Sequence, residues 1–145
     1  MIRVICVGKI KESFYRDAIS EYMKRLQKYH KVMIDEVMDS DIKSEKELIL
    51  KKIKDSDYVI AMDINGDEYN SLEFSSFLDK SFLYHSNITF VIGGSDGLDE
   101  EVKSRADKRI SFSKMTFPHQ LFRIILLEQI YRSFKIIHHE SYHKY

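Results

Sequence analysis

Three of the five glycines in this 145-residue chain fall within five residues, in the stretch FVIGGSDGLDEEV from Phe90 to Val102. Glycines between an apolar run and an acidic, helix-like run let the backbone turn tightly or approach a ligand closely. A phosphate is the usual ligand of such a turn, but the spacing argues against it. A dinucleotide site takes G-x-G-x-x-G after a first strand, and a P-loop takes a lysine straight after its last glycine. Here the pattern is G-G-x-x-G after a fourth strand, and Gly97 is followed by Leu98. Asp96, Asp99, Glu100 and Glu101 also gather there, and carboxylates repel a phosphate. Two readings stay open: close packing in a strand-to-helix turn, and backbone approach to a ligand that is not an anion.

A second segment, ISFSKMTFPHQ from Ile110 to Gln120, favours the ligand. Its Phe112, Ser113, Lys114, Met115, Thr116 and Phe117 are apolar and hydroxylic without a basic cluster. That composition suits an adenosine or thioether ligand better than a polyphosphate. The remaining chemistry-bearing groups are few. Of six histidines, His119 lies beside this segment and His143 lies in the C-terminal tail next to Tyr142. His138, His139 and His143 match no standard metal-ligand spacing and no cysteine assists them, so no metal is expected. The single cysteine, Cys6, lies within an apolar run and reads as a core residue. It has no partner for an intramolecular disulfide, which favours a reducing cytoplasm.

The elements that must position these residues alternate. IRVICV (Ile2–Val7), KVMIDEV (Lys31–Val37), YVIAMDI (Tyr58–Ile64), NITFVIGG and RISFS read as strands, the third closed by the turn pair Asn65-Gly66. Between them lie helical patterns from Ser13 to Tyr29, around Leu48 to Ile53, after Asn70-Ser71, and from Asp99 to Ala106. Pro118 opens a long final helix to about Ile137. Strand–helix alternation with nearly continuous apolar strands predicts an α/β fold, one domain with a mostly parallel sheet and helices on both faces. In such a sheet the loops Met62–Gly66, Gly93–Leu98 and Phe112–Phe117 share the carboxyl edge, where ligands bind.

Composition bounds the rest. Apolar residues make up 43% and charged residues 32%, a globular balance. No apolar run approaches the roughly 20 residues that span a bilayer, and MIRVICVGKIKE reads as a strand, so no membrane association is expected. Net charge is zero but unevenly spread: residues 1–34 carry 8 Lys/Arg against 3 Asp/Glu, residues 103–145 carry 9 against 3, and residues 35–80 carry 6 against 13. Basic ends that meet would form a positive face; solvated helix faces are the alternative. Of the 17 residues from Leu121 to Ile137, 11 are apolar and lie all round the helix. A helix on a sheet needs only an apolar stripe, so a second apolar face predicts a homodimer.

Four blocks in order, FVIGGSDGL, SFSKMTFPHQ, YRSFKI and the terminal YHK, together with the opening VGKIKESFYRDAISEYMKRLQKY, resemble the RlmH family. These are SPOUT-class methyltransferases of large-subunit ribosomal RNA, and the resemblance covers nearly the whole chain. It implies a SPOUT domain with a C-terminal trefoil knot, a homodimer, S-adenosylmethionine as cofactor, and N3-methylation of a pseudouridine in 23S RNA of the assembled ribosome. The family's cofactor positions fall on Met62, Gly93, Phe112, Ser113, Lys114, Met115, Thr116 and Phe117. Between DEVMDSD and YVIAMDI this chain looks about a dozen residues shorter than family members, which bears on RNA contacts in that region.

Methyl transfer to a ring nitrogen is an in-line displacement governed by positioning, and the nitrogen must lose its proton. A base near neutrality helps, which favours His143 or Tyr142 on the substrate side, with the tail of one subunit reaching the other's cofactor. His119 is expected instead to bond backbone at its helix start. Arg123 and Arg132 point to nearly opposite sides of the last helix; either neutralises a phosphate or holds the uracil carbonyl, or pairs with Glu128 across a dimer. Lys9 and Lys11 extend an RNA-facing surface or serve solubility. Two other readings remain: a SPOUT methyltransferase acting on another RNA such as tRNA, and a non-enzymatic nucleotide-sensing module.

Overall fold

A computed structural model describes residues 1–144. The strands are β1 (Ile2–Val7), β2 (Val32–Val37), β3 (Tyr58–Glu68), β4 (Ile88–Val91) and β5 (Lys108–Ser111); the helices are α1 (Ser13–Leu26), α2 (Ile42–Lys52), α3 (Ser71–Tyr84), α4 (Glu100–Arg105) and α5 (His119–Ile137). They form one sheet in the order β2-β1-β4-β3-β5, every pair parallel.

All six residues of β1 and all four of β4 are buried, as strands covered on both faces must be. The alternation of side chains divides them between two cores. Ile2, Val4 and Cys6 join Phe74, Phe90, Leu126 and Phe134 on the face covered by α1, α3 and α5. Ile5 and Val7 join Ile49, Val59, Val91 and Val102 on the face covered by α2 and α4. Burial pushes the Cys6 thiol up to about 12, so it stays protonated and inert.

Three boundaries differ from the sequence reading. Glu12, not Ser13, precedes α1, which ends at Leu26 rather than Tyr29. α2 begins at Ile42, well before Leu48, with Asp41 as its cap accepting Ser44 N–H. The pair Asn65-Gly66 does not close β3. Ile110 of β5 pairs first with Met62 and then with Asp67, so residues 63–66 leave the ladder as a bulge and the strand resumes. An added Cβ at Gly66 would lie 2.7 Å from Arg109 C and Ile110 N, so only glycine lets the returning strand settle on β5.

α5 packs between α1 and α3, and this accounts within one chain for much of its all-round apolarity. Leu126, Leu127, Ile130 and Phe134 are buried, while Leu121, Ile124, Ile125, Ile136 and Ile137 are half-buried. Its most buried charge is Arg123, 1% exposed. The guanidinium donates to Glu36 Oε2 at 2.6 Å and to the carbonyls of Val7 and Gly8 at 3.3 and 3.1 Å. The expectation of a substrate-facing Arg123 is therefore corrected to an anchor, tying the start of α5 to the ends of β1 and β2. Arg123→Met should strand these acceptors and cost roughly 1–3 kcal/mol in chemical denaturation. A drop in turnover without loss of stability would contradict that anchoring role.

Candidate active site

At the carboxyl edge, the ends of β3, β4 and β5 and the start of α5 enclose a cavity of about 710 Å³. That size falls within the range of small-molecule sites. Met62, Gly93, Phe112, Ser113, Met115, Thr116 and Phe117 line it. Lys114 does not; it is exposed and borders a neighbouring depression with Asn65, Gly66 and Glu68.

The Gly93–Leu98 wall is a closed turn. Gly97 N–H donates to Gly94 O at 3.0 Å, closing a tight turn. A Cβ on Gly93 would meet Gly97 C and O at 2.5 Å, so its missing side chain serves this backbone-on-backbone contact. The packing reading of the glycines is thus correct, and the turn it produces is itself a wall of the cavity. Behind the turn, Glu45 is buried, with Oε1 3.2 Å from where a Gly94 Cβ would sit and Oε2 accepting Ser40 N–H at 3.0 Å. Burial raises its pKa above the ordinary glutamate value, with Asp39 and Asp96 adding repulsion against the Ser40 bond.

The opposite wall is a loop pinned at both ends. Phe112 packs edge-on to Phe74 at 5.3 Å and against Phe122 at 5.4 Å, and Phe117 stacks on Phe122 at 6.2 Å. Ser111 Oγ donates to Ser113 O, and Ser113 Oγ accepts Met115 N–H, both at 2.9 Å. Between these anchors Lys114, Met115 and Thr116 are exposed.

The acidic cluster is largely neutralised. Asp99 caps α4 and meets Lys43 Nζ at 2.8 Å, Glu101 meets Lys46 at 3.3 Å, and Glu100 meets Lys103 at 3.5 Å. Only Asp96 of the four lines the cavity, so their joint repulsion of a phosphate is weaker than the sequence implied. What disfavours a polyphosphate is a lining with Lys103 as its one lysine or arginine, set beside the carboxylates of Asp63 and Asp96.

His119 lines the cavity, and its ring has no hydrogen bond among the described residues; the expected backbone bond is not made. The tail lies elsewhere. Tyr142 OH donates to Glu128 Oε2 at 2.7 Å, and its ring lies 5.0 Å from that of Tyr131 and 4.7 Å beneath Arg132. Burial and the Glu128 bond both raise the tyrosine pKa, keeping the phenol protonated. Arg132 Nη1 lies 3.1 Å from His143 Nδ1. Arginine only donates, so Nδ1 is the acceptor, and the neutral ring carries its proton on Nε2. Arg132 is ten residues beyond Phe122, about 15 Å along the helix. One chain does not bring its tail to its own cavity.

The family described as Predicted SPOUT methyltransferase matches residues 1–143. Ribosomal RNA large subunit methyltransferase H 1 of Clostridium perfringens is 53% identical over 157 positions, covering 99% of each chain. The chain belongs to the RlmH family of SPOUT methyltransferases. A relative from Caldicellulosiruptor saccharolyticus, named Ribosomal RNA large subunit methyltransferase H, is 49% identical over 154 positions, covering 99% of this chain and 100% of that one. The 157 aligned positions exceed the 145 residues here, so about a dozen have no counterpart in this chain. The crystal structure of tRNA (m1G37) methyltransferase from Aquifex aeolicus matches with TM-score 0.52 and 16% identity over 90% of this chain and 69% of that one, a likeness of fold. Within the SPOUT frame, the sequence missed Asp63, Asp96 and Lys103 as lining residues. Asp63 sat inside the Met62–Gly66 loop, but nothing in that loop's composition announced a bulge.

Two outcomes follow for the turn. Gly93→Ala should lower stability by roughly 1–3 kcal/mol through overpacking, read in urea titration with no ligand present; an unchanged midpoint would remove the Gly93–Gly97 contact from the turn's causes. A glutamate whose pKa is raised by folding favours the fold below its ordinary range and opposes it as pH rises through the folded value. Glu45→Gln should therefore melt above the parent protein at pH 7–8, with the gap closing as pH falls toward the glutamate range. A gap that widens on acidification would reverse the assignment.

Proposed function

We propose that this chain methylates N3 of a pseudouridine in large-subunit ribosomal RNA, using S-adenosylmethionine and working as a homodimer on the assembled ribosome in the cytoplasm. The observation that carries the reading is end-to-end identity of about half with relatives named for ribosomal RNA large-subunit methylation. The cavity supports it. Its size, its Phe112 and Phe117 walls and its mixed charge suit a nucleoside bearing a sulfonium better than a polyphosphate. We take the Phe112–Phe117 loop to belong to the threaded segment of a trefoil knot, as the family resemblance implies.

When bound, the cofactor supplies an electrophilic methyl group. The chain's residues do the positioning. Gly93 and the pinned Phe112–Phe117 loop hold the nucleoside from two sides, and Met115 and Ile64, 75% and 47% exposed, offer apolar surface at the mouth for an incoming base. His119 presents an imidazole lone pair inside the cavity, available to take the N3 proton. Engaged as they are, Tyr142 and His143 are not ready bases. The Arg132–His143 pair stands on the substrate side, where the guanidinium charge stabilises a uracil carbonyl as the nitrogen is deprotonated. The distance along α5 makes this a contribution from a second copy's tail, which is why the dimer belongs to the proposal.

Incubation with tritiated S-adenosylmethionine should label 23S RNA in intact ribosomes at a pseudouridine. Label found only in tRNA, or none despite cofactor binding, would defeat the assignment. His143→Ala should cut turnover by roughly 10²-fold or more with cofactor affinity almost unchanged, and His119→Asn should cut turnover by roughly 10²-fold at saturating cofactor. Unchanged turnover in the His119 variant would move the proton elsewhere.

A further inference from the structure

Asp63, at the start of the β3 bulge, lines the cavity, and half of its carboxylate has no hydrogen bond among the described residues. Asp63 Oδ1 accepts Asn65 N–H at 3.1 Å within the bulge. Asp63 Oδ2 is buried and has no hydrogen bond among the described residues, and the side chain as a whole is 5% exposed. Its nearest cations, Arg109 Nη1 at 3.8 Å and Lys103 Nζ at 4.0 Å, stand beyond hydrogen-bond reach. Native proteins rarely leave a buried carboxylate oxygen unpaired, because its lost hydration is not replaced.

We propose that Asp63 Oδ2 is the acceptor for the ribose hydroxyls of the bound nucleoside, and so a specificity-determining residue of the cofactor site. This rests on the methyl-donor reading above. The two flanking cations decide which donor suits it. They offset the carboxylate's charge without occupying its lone pair, so an ammonium gains little there, while a neutral hydroxyl gains a directional bond to a charged acceptor. A carboxylate taking a ribose hydroxyl is also how dinucleotide sites fix their sugar, on a different loop of a different parallel sheet. Asp63 follows Val59 and Ala61 in the alternation of β3, on the face covered by α4, and the excursion over residues 63–66 begins there, with Gly66 letting the strand return.

The test pairs a change in the protein with a change in the ligand. Calorimetry on the full chain measures S-adenosylhomocysteine and an analogue of it lacking both ribose hydroxyls. The parent protein should bind the analogue at least about tenfold more weakly. Asp63→Asn, which keeps the shape and the bond to Asn65 but puts an amide donor where Oδ2 was, should bind S-adenosylhomocysteine about tenfold more weakly than the parent and no longer distinguish the two ligands. Its melting temperature without ligand should be unchanged or higher. Equal binding of both ligands by the parent overturns the proposal, and so does undiminished discrimination by Asp63→Asn. Should the variant not fold, the ligand pair on the parent still decides. If S-adenosylhomocysteine itself fails to bind the parent protein, the methyl-donor reading falls first, a result distinct from binding without discrimination.

Discussion

A parallel sheet covered on both faces leaves its strands nowhere to present polar chemistry except at their ends. β1 and β4 are buried along their whole length, and every side chain that lines the cavity comes from the carboxyl rim, the turns beyond it, the helix α4 or the start of α5. The rim is shaped by two places where backbone meets backbone, Gly66 on β5 and Gly93 on Gly97. Each approach excludes a Cβ. Together they fix how far the Asp63 bulge and the Gly93–Leu98 turn stand apart, and with the Phe112–Phe117 loop they set the width of the site.

α5 carries the second constraint. Its first turn supplies His119 and Phe122 to the cavity, Arg123 anchors it to the ends of β1 and β2, and its far half holds the tail through Glu128, Arg132 and Tyr131. One rigid helix thus presents a cofactor wall at one end and a substrate-side cluster at the other. A rigid helix does not fold back on itself, so the two ends meet only when a second copy runs alongside. Leu121, Ile124 and Ile125 next to the cavity are half-buried, and α1 and α3 cover the flanks of the helix, so its uncovered apolar face is narrower than the sequence implied.

The sequence disclosed what depends on pattern and missed what depends on contact. Strand order in the chain, helix positions and the carboxyl-edge loops follow from periodicity, which is local. The bulge in β3 arises from pairing with β5, more than 40 residues away, so Asn65-Gly66 read as an ordinary turn. Arg123 read as a cation for a phosphate, a uracil carbonyl or a dimer's Glu128, because an arginine on a helix normally reaches outward; only the fold reveals the carbonyls of Val7 and Gly8 and the Glu36 carboxylate that it meets. The acidic run from Asp96 to Glu101 read as a repulsive cluster since its partners Lys43 and Lys46 lie on α2. Charge counting sees signs, not pairings.

The tail shows how far such pairings reach into mechanism. Arg132 accepts nothing, so its contact fixes the His143 tautomer, and the Glu128 carboxylate likewise fixes Tyr142 as a donor. Both groups that looked like bases from their residue types are held as hydrogen-bond donors by their neighbours. A ring nitrogen between two carbonyls becomes more acidic when those carbonyls accept hydrogen bonds, because the negative charge left behind spreads onto their oxygens. Tyr142 gives its one hydroxyl proton to Glu128, and the His119 ring has no hydrogen bond among the described residues, so the two ends of α5 hold polar groups in different states of engagement.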